Sequence, residues 1–494
     1  MKYHSTRNSR STINSAEAIT RGIAPDGGLF VPAVIPCIPA ERFAALENKN
    51  YIGRACEVLS HYLTDFSAEE IETMVTAAYE NSFDECGPAP LVRLGGSNAY
   101  MLELWHGPTC AFKDMALQLL PHLMVKSAEK IGDTREIVVL VATSGDTGKA
   151  ALEGFKNVPG TKIVVFYPED GVSNMQKLQM ATQQGQNVYV SAINGNFDDA
   201  QTAVKSIFAN ADMIQKLSQN DMVFSSANSI NWGRLVPQIV YYVSSYLDLK
   251  TSGADVSAGI NVVVPTGNFG NILAAYYAKM MGVPIAKLIC ASNRNNVLTD
   301  FIKTGCYDRN REFFATSSPS MDILISSNLE RLLYHVSAGD DMLISELMRS
   351  LSDDGTYKLP AIIHRALQAD FYGGFCSEED TLDTINRVFS KYGYLADTHT
   401  AVGIKVYEQY ITETGDNRPT VLASTASAYK FPGSVSAALG CPAENEFEAA
   451  GHILNKTGVA IPKELKGLGE REVRFTGSAQ RNELHNVVMD FLNI

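Results

Sequence analysis

The chain has 494 residues, 45% hydrophobic and 19% charged, which excludes a disordered protein and leaves room for two or three compact units. Lys plus Arg number 41 against 54 Asp plus Glu, and the net charge of −13 argues against a broad nucleic-acid or anionic-membrane surface, so any anionic ligand must be caught locally. The eight cysteines, at 37, 56, 86, 110, 290, 306, 376 and 441, form no CxxC pair and no metal-ligand spacing, and read as reduced thiols of a cytoplasmic protein without a bound metal.

The first residues, "MKYHSTRNSRSTINSAEAITRG", are basic and Ser-rich like an organelle transit peptide but lack the apolar core of a secretory signal. Helical periodicity follows over 39–81, after a turn at "APDGGLFVP", and 1–86 is expected to form a separate N-terminal unit. "DECGPAPLVRL" at 84–94 opens a main unit expected to span 87–442, with 443–494 as a C-terminal segment. No apolar run approaches the ~20 residues of a membrane helix. Repeats and low-complexity tracts are absent from the sequence.

From residue 136 short β-branched runs alternate with amphipathic segments. "EIVVLVA", "KIVVFY", "NVYVSAI", "MVFSS", "INVVVP" and "KLICAS" are expected strands, with helices near 147–157, 173–184, 197–210, 231–247 and 270–281. This rhythm predicts mainly parallel sheet covered by helices on both faces, with ligands at the carboxyl ends of strands.

Five stretches carry chemistry. In "HGPTCAFKDMALQLL", 106–120, Lys113 falls in a first helical turn among Phe112, Met115, Ala116 and Leu117. A desolvated lysine there loses its proton and forms Schiff bases, whereas an exposed one is only a helical surface residue. "VVLVATSGDTGKAA", 138–151, looks like a nucleotide phosphate loop, but Thr143 and Ala150 occupy the positions that need Gly and Ser or Thr. Its Ser144, Gly145, Asp146 and Thr147 instead offer hydroxyls and helix-end N–H groups suited to a carboxylate. In "SSANSINWGRL", 225–235, Asn228, Ser229 and Arg234 read either as a fork for a phosphate or as a helix cap beside a solvated arginine. "VVVPTGNFGNILAA", 262–275, runs a buried strand into a Gly and Asn turn and a helix. Lacking a third glycine, it suits a mononucleotide-sized or simpler phosphate, or serves only as a tight turn. "LASTASAYKF", 422–431, is an apolar strand ending in hydroxyls.

In combination and order these stretches resemble the threonine synthase family, pyridoxal 5'-phosphate enzymes of the tryptophan synthase β-like structural group. The likeness includes "STR" at 5–7, "APDGGLFVP", "HGPTCAFKDMA", "ATSGDTGKAALEGF", "NSINWGRL", "PTGNFGNILA", "DTHTAVG" at 397–403 and "STASAYKF", the order of the longer form with an extra N-terminal unit. It implies an α/β protein of pyridoxal phosphate fold type II, with two parallel-sheet subdomains and a helical N-terminal unit. It implies conversion of O-phospho-L-homoserine and water to L-threonine and phosphate, in a monomer or homodimer with no nucleic-acid or membrane partner. By the same resemblance Lys113 binds the cofactor covalently and catalyses, Gly267, Asn268, Phe269 and Asn271 surround its phosphate, and Thr425 faces its pyridine nitrogen. Ser144, Gly145, Asp146 and Thr147 take the substrate carboxylate, and Asn228, Ser229 and Arg234 lie near the substrate phosphate. Two departures from the family pattern stand out: Cys110 where an apolar residue such as Leu is frequent, and 427–429 where a His and Pro are frequent. A dehydratase or β-replacing relative would share the lysine and the phosphate loop, and a catalytically silent relative would keep only binding.

Overall fold

The computed structural model describes residues 1–143, 145–169 and 172–494. Apolar runs without polar alternation cannot turn one face to water, and they form the middle of two parallel sheets. In the first, Ser478–Gln480, Val188–Asn194, Thr161–Pro168, Glu136–Ala142 and Met222–Ser225 lie side by side, all parallel. In the second, Phe371–Phe375, Ile285–Ser292, Ile260–Pro265, Thr420–Ser424 and Ala99–Glu103 are parallel, and Leu91–Arg93 closes the edge antiparallel. Every strand expected from residue 136 is present. The helices Asp146–Phe155, Asn174–Ala181, Phe197–Phe208, Trp232–Thr251 and Gly270–Met280 fall on the expected segments.

This topology gathers the motifs. Glu136–Ala142, Ile260–Pro265 and Thr420–Ser424 end immediately before 143–145, 266–269 and Thr425, while Ala99–Glu103 leads into the loop that carries Lys113. Four sequence-distant stretches therefore emerge from carboxyl ends of strands in both sheets.

At the N-terminus the helical pattern resolves into Ala40–Ala45, Tyr51–Tyr62 and Ala68–Tyr79, the last opened by a reciprocal Ser67 and Glu70 capping box. The structure adds a three-stranded antiparallel sheet, Asn8–Ile13, Tyr3–Ser5 and Phe30–Pro32, whose two three-residue strands are too short to show a two-residue period. Tyr3 and Tyr62 pack on Trp232, at the start of the long helix, with ring centroids 5.4 and 5.5 Å away. The "STR" motif docks beside them. Arg7 donates from Nε and one terminal nitrogen to the two oxygens of the buried Glu330, at 2.9 and 2.8 Å, and the Thr6 hydroxyl donates to the same carboxylate. At the other end of the chain, Ser478–Gln480 extends the first sheet, and Leu484, Val488 and Leu492 of the last helix belong to one buried cluster with Val138 and Leu140. Among the described residues all eight cysteines are unpaired and no helix is long and apolar enough to cross a membrane.

Removing Glu330 leaves a half-buried guanidinium and a buried hydroxyl without their acceptor. Glu330→Ala is expected to cost about 2 kcal/mol, because charged hydrogen bonds are lost and a cation is orphaned. Limited proteolysis should find its first new cuts before residue 40, at a temperature where the parent chain resists.

Candidate active site

The Lys113 loop is held rigid before any charge is considered. Buried Asp114 accepts from the Thr109 backbone at 2.8 Å and the Thr109 hydroxyl at 2.7 Å, and burial pushes its carboxyl up to about 7. Cys110 sits in the left-handed region at φ 57°, a strained conformation for a side-chain-bearing residue. The Phe112 N–H then donates to the Thr425 carbonyl at 2.8 Å, tying this loop to the end of Thr420–Ser424. At the loop's start His106 is fixed by Asp84 at 2.7 Å on Nδ1 and Glu103 at 3.0 Å on Nε2. Asp84, Cys86 and His106 bring donor atoms within 4.8 Å of one another, a grouping invisible in the spacing. Both ring nitrogens of that histidine are already engaged by carboxylates.

At the end of the loop, Lys113 Nζ lies 3.5 Å from Asp146 Oδ2 and 3.2 Å from the Ser320 hydroxyl. The other Asp146 oxygen faces Lys430 Nζ at 3.1 Å and accepts from Gln176 Nε2 at 2.8 Å. Burial pushes the Lys113 amine below the ordinary lysine range; Asp146 pulls it back up, and Lys430 and Arg234 push it further down. Burial alone would raise the Asp146 carboxyl, but Lys430 and then Lys113 hold it well below the usual carboxylate range. Asp146 opens the helix Asp146–Phe155 directly after Gly145, whose φ of 133° only glycine adopts readily. A Cβ on Gly145 would also stand 2.5 Å from the Gln176 side chain. Ser320 reaches a further pair. Its N–H donates to His399 Nε2 at 3.1 Å, which leaves the His399 proton on Nδ1, 2.9 Å from the fully buried Asp397.

Across the site, Phe269 occupies the left-handed region at φ 63° and caps Gly270–Met280, a second strained point. A Cβ on Gly267 would come within 2.6 Å of the Ser320 carbonyl, so only glycine permits this approach. Asn271 accepts from the Tyr241 and Tyr242 hydroxyls, each at 2.6 Å, while its Nδ2 is buried with no partner among the described residues. Arg234, 4% exposed, donates from one terminal nitrogen to the Ala227 carbonyl at 2.6 Å, and its Nε is likewise buried and unpartnered. Asn328 staples the two loops, donating to Asn268 and Ser229 carbonyls at 3.0 and 3.3 Å. Its own oxygen accepts from the fully buried Arg331, whose other nitrogens hold the Phe30 and Ile230 carbonyls. Glu330, partner of Arg7, is the preceding residue.

Three family models cover nearly the whole chain: "Threonine synthase N terminus" on 2–79, "Pyridoxal-phosphate dependent enzyme" on 83–425 and "Threonine synthase, C-terminal" on 400–488. The threonine synthase of Schizosaccharomyces pombe is 35% identical over 99% of this chain and 98% of its own. The chain belongs to the threonine synthase family. Among solved structures, threonine synthase from yeast matches with TM-score 0.90 and 33% identity over 100% of this chain and 99% of that one. The pyridoxal phosphate-bound threonine synthase from Brucella melitensis matches at 0.89 and 37%, covering 99% of each. The human protein "Threonine synthase-like 1" is 42% identical over 92% of this chain, which spans only 62% of that relative's length.

Of the residues that the threonine synthase resemblance singles out, the fold brings Lys113 and Asp146 into contact and places Gly267 against Ser320, which itself touches both. Arg234 lies close enough to lower the Lys113 amine. Asn268 and Ser229 are joined by Asn328, and Thr425 is buried beside Phe112. Asn228 is exposed, and its side chain accepts from Ser229 and Ile230 within its own loop. Thr147 is half-buried in the first turn of its helix, and Ser144 lies outside the described residues. Sequence reasoning assigned no part to Ser320, Asn328, Arg331, His399 or Lys430. Ser320 lies in the single 3-10 turn Pro319–Met321 and Asn328 just before Leu329–Val336, both too local to show a period, whereas Lys430, set between Tyr429 and Phe431, gave an unread signal as a lysine in an apolar frame.

Asn328→Ala removes the staple and leaves part of a buried guanidinium unpaired. The expected cost is about 3 kcal/mol. Hydrogen exchange should quicken at 228–231 and 267–271 together; quickening confined to one loop would disprove the staple.

Proposed function

We propose that this chain is itself a threonine synthase, converting O-phospho-L-homoserine and water to L-threonine and phosphate with pyridoxal 5'-phosphate. The observation that carries the reading is a cluster of basic side chains not fully paired by protein groups. Lys430 is paired with Asp146, Lys113 meets the same carboxylate at only 3.5 Å, and the buried Arg234 acts on Lys113 while its Nε has no partner among the described residues. A cofactor phosphate and a substrate phosphate would each find a basic group there, whereas a dehydratase substrate with no phosphate would leave Arg234 unused. The residues also fit the cofactor. Asn271 Nδ2 is a buried donor without a partner among the described residues, at the N-terminus of Gly270–Met280, and bare Gly267 leaves the backbone there open to close approach.

On this reading Lys113 anchors the cofactor, the 267–271 turn with Gly267, Asn268, Phe269 and Asn271 holds its phosphate, and Thr425 offers its pyridine nitrogen a hydroxyl. When bound, the cofactor supplies an electron sink for charge developing on the amino acid. The protein's part is to orient and to move protons. Gly145, Asp146 and Thr147, with Ser144, orient the substrate carboxylate at the start of a helix, where N–H groups converge. Arg234, with Asn228 and Ser229, grips the substrate phosphate, using the Nε that no group among the described residues occupies. The Lys113 amine takes the proton from substrate Cα and then one from Cβ, after which the Cγ–O bond breaks and phosphate leaves. Water adds its hydroxyl at Cβ, and protons return to Cγ and Cα. An amine depressed by burial gives up and takes back a proton more evenly than an ordinary lysine. The fold type II assignment belongs to the same reading, as does the division at 1–86, 87–442 and 443–494. A cytoplasmic monomer or homodimer fits it, and eight unpaired thiols suit a reducing compartment.

Purified protein given O-phosphohomoserine should release threonine and phosphate in equal amounts. Phosphate accompanied mainly by 2-oxobutanoate would indicate a lyase that loses its intermediate, and bound cofactor without turnover a silent relative. Arg234→Ala should raise KM about 10 to 100-fold with the cofactor retained, the worth of one charge-assisted bond. Loss of cofactor instead would mean that Arg234 holds the other phosphate. Lys113→Ala should lose the visible absorbance of lysine-bound cofactor and ~10² to 10⁴-fold in rate for each proton transfer.

A further inference from the structure

Lys430 has no part in the roles above, yet it is 0% exposed and reaches the same carboxylate as the proposed catalytic lysine. Its Nζ stands 3.1 Å from Asp146 Oδ1 and donates to Gln179 Oε1 at 2.6 Å. Gln176 occupies Oδ1 as well, at 2.8 Å. Lys113 meets only Oδ2, at 3.5 Å, and shares it with the Ser320 hydroxyl at 3.4 Å. Asp146 is thus coordinated more closely by Lys430 than by Lys113.

The charged groups acting on the Lys113 amine are Asp146, Lys430 and Arg234. Lys430 in turn acts on Asp146, Asp114, Cys110 and Lys149. Asp114 turns both its oxygens to Thr109, and Lys149 is paired with Glu153 at 3.1 Å. Asp146 is therefore the carboxylate that Lys430 and Lys113 have in common.

We propose that Lys430 is a positioning residue for the reacting amine: it takes Asp146 as its own counter-ion, so that Lys113 stands beside an already neutralised carboxylate and presents a free electron pair. Alone with Lys113, Asp146 would hold the proton on the amine, and an ammonium is neither nucleophile nor base. With Lys430 in place the carboxylate's charge is cancelled. Burial and Arg234 then favour the uncharged amine. Asp146 meanwhile keeps its place at the helix start through Gln176 and Lys430. The inference rests on Lys113 being the reactive amine, as proposed above, and is independent of which substrate is used.

The experiment uses the full-length chain freed of cofactor, treated briefly with acetic anhydride across a pH series, with Lys113 acetylation read by mass spectrometry. In Lys430→Met the pH midpoint of Lys113 reactivity should rise by about one to two units, the usual effect of a nearby charge. In Asp146→Asn it should fall, and in Lys430→Arg, which keeps the charge, it should stay near the parental value. A packing role alone would not move the first two in opposite directions. An unmoved or lowered midpoint in folded Lys430→Met overturns the proposal. Should that variant fail to fold by circular dichroism, Asp146→Asn decides, and an unmoved or raised midpoint there overturns it. The cofactor-loaded chain gives a second readout, since the pH midpoint of its visible band should move upward in Lys430→Met as well. Threonine formation enters neither measurement, so failure of the substrate assignment and failure of this proposal are separable.

Discussion

One buried carboxylate organises this site. Asp146 touches Lys113, Lys430, Gln176 and Ser320, which come from four separate stretches of chain and from both parallel sheets' neighbourhoods. Burying an ion costs several kcal/mol unless partners replace water. Two lysines and an amide replace it here, so positions that a linear reading treats independently are bound together by charge. Arg234 stands close by with its Nε buried and unpartnered among the described residues, so the basic side of the site is not fully paired by protein groups.

The surrounding backbone is built to resist that charge rather than to relax around it. Cys110 and Phe269 are both held in the left-handed region, one in the loop before Lys113 and one at the turn before Asn271. Such conformations cost of order 1 to 3 kcal/mol each and persist only where the surroundings over-determine them. The surroundings do so: Asp114 clamps the first loop through Thr109, and Asn328 fixes the second through the Asn268 carbonyl. The N-terminal unit belongs to the same scaffold, since Arg331 joins Phe30 to Asn328 and Glu330 joins Arg7 to the same helix. This gives the "STR" motif a physical purpose that its distance from Lys113 in sequence conceals.

Legibility followed the range of the forces involved. Strands such as Ile260–Pro265 announced themselves because a run buried on both faces must be continuously apolar, and helices such as Asp146–Phe155 because amphipathic spacing is local. The three-stranded N-terminal sheet did not, since Tyr3–Ser5 and Phe30–Pro32 are paired across 25 to 29 positions and are individually too short to carry a pattern. The C-terminal strand Ser478–Gln480 was equally silent, being an edge strand that reads as sheet only once Val188–Asn194 is beside it. In the site, Lys113, Asp146 and the 267–271 turn were marked by glycines, hydroxyls and their position after strands. Ser320 was not, because a serine in a three-residue 3-10 turn has no sequence feature that reports its neighbours.

The sequence by itself determined the family, the two-sheet α/β class and the positions of the motif-bearing turns, because these depend on local periodicity, on glycine geometry and on motifs that keep their order along the chain. The tertiary structure alone decided that Lys430 and Lys113 share Asp146, that Asn328 couples two loops, and that Glu330 receives the N-terminal arginine. Those are pairings between residues 33 to 323 positions apart, and their strength comes from the exclusion of water, which no single stretch of chain can produce on its own.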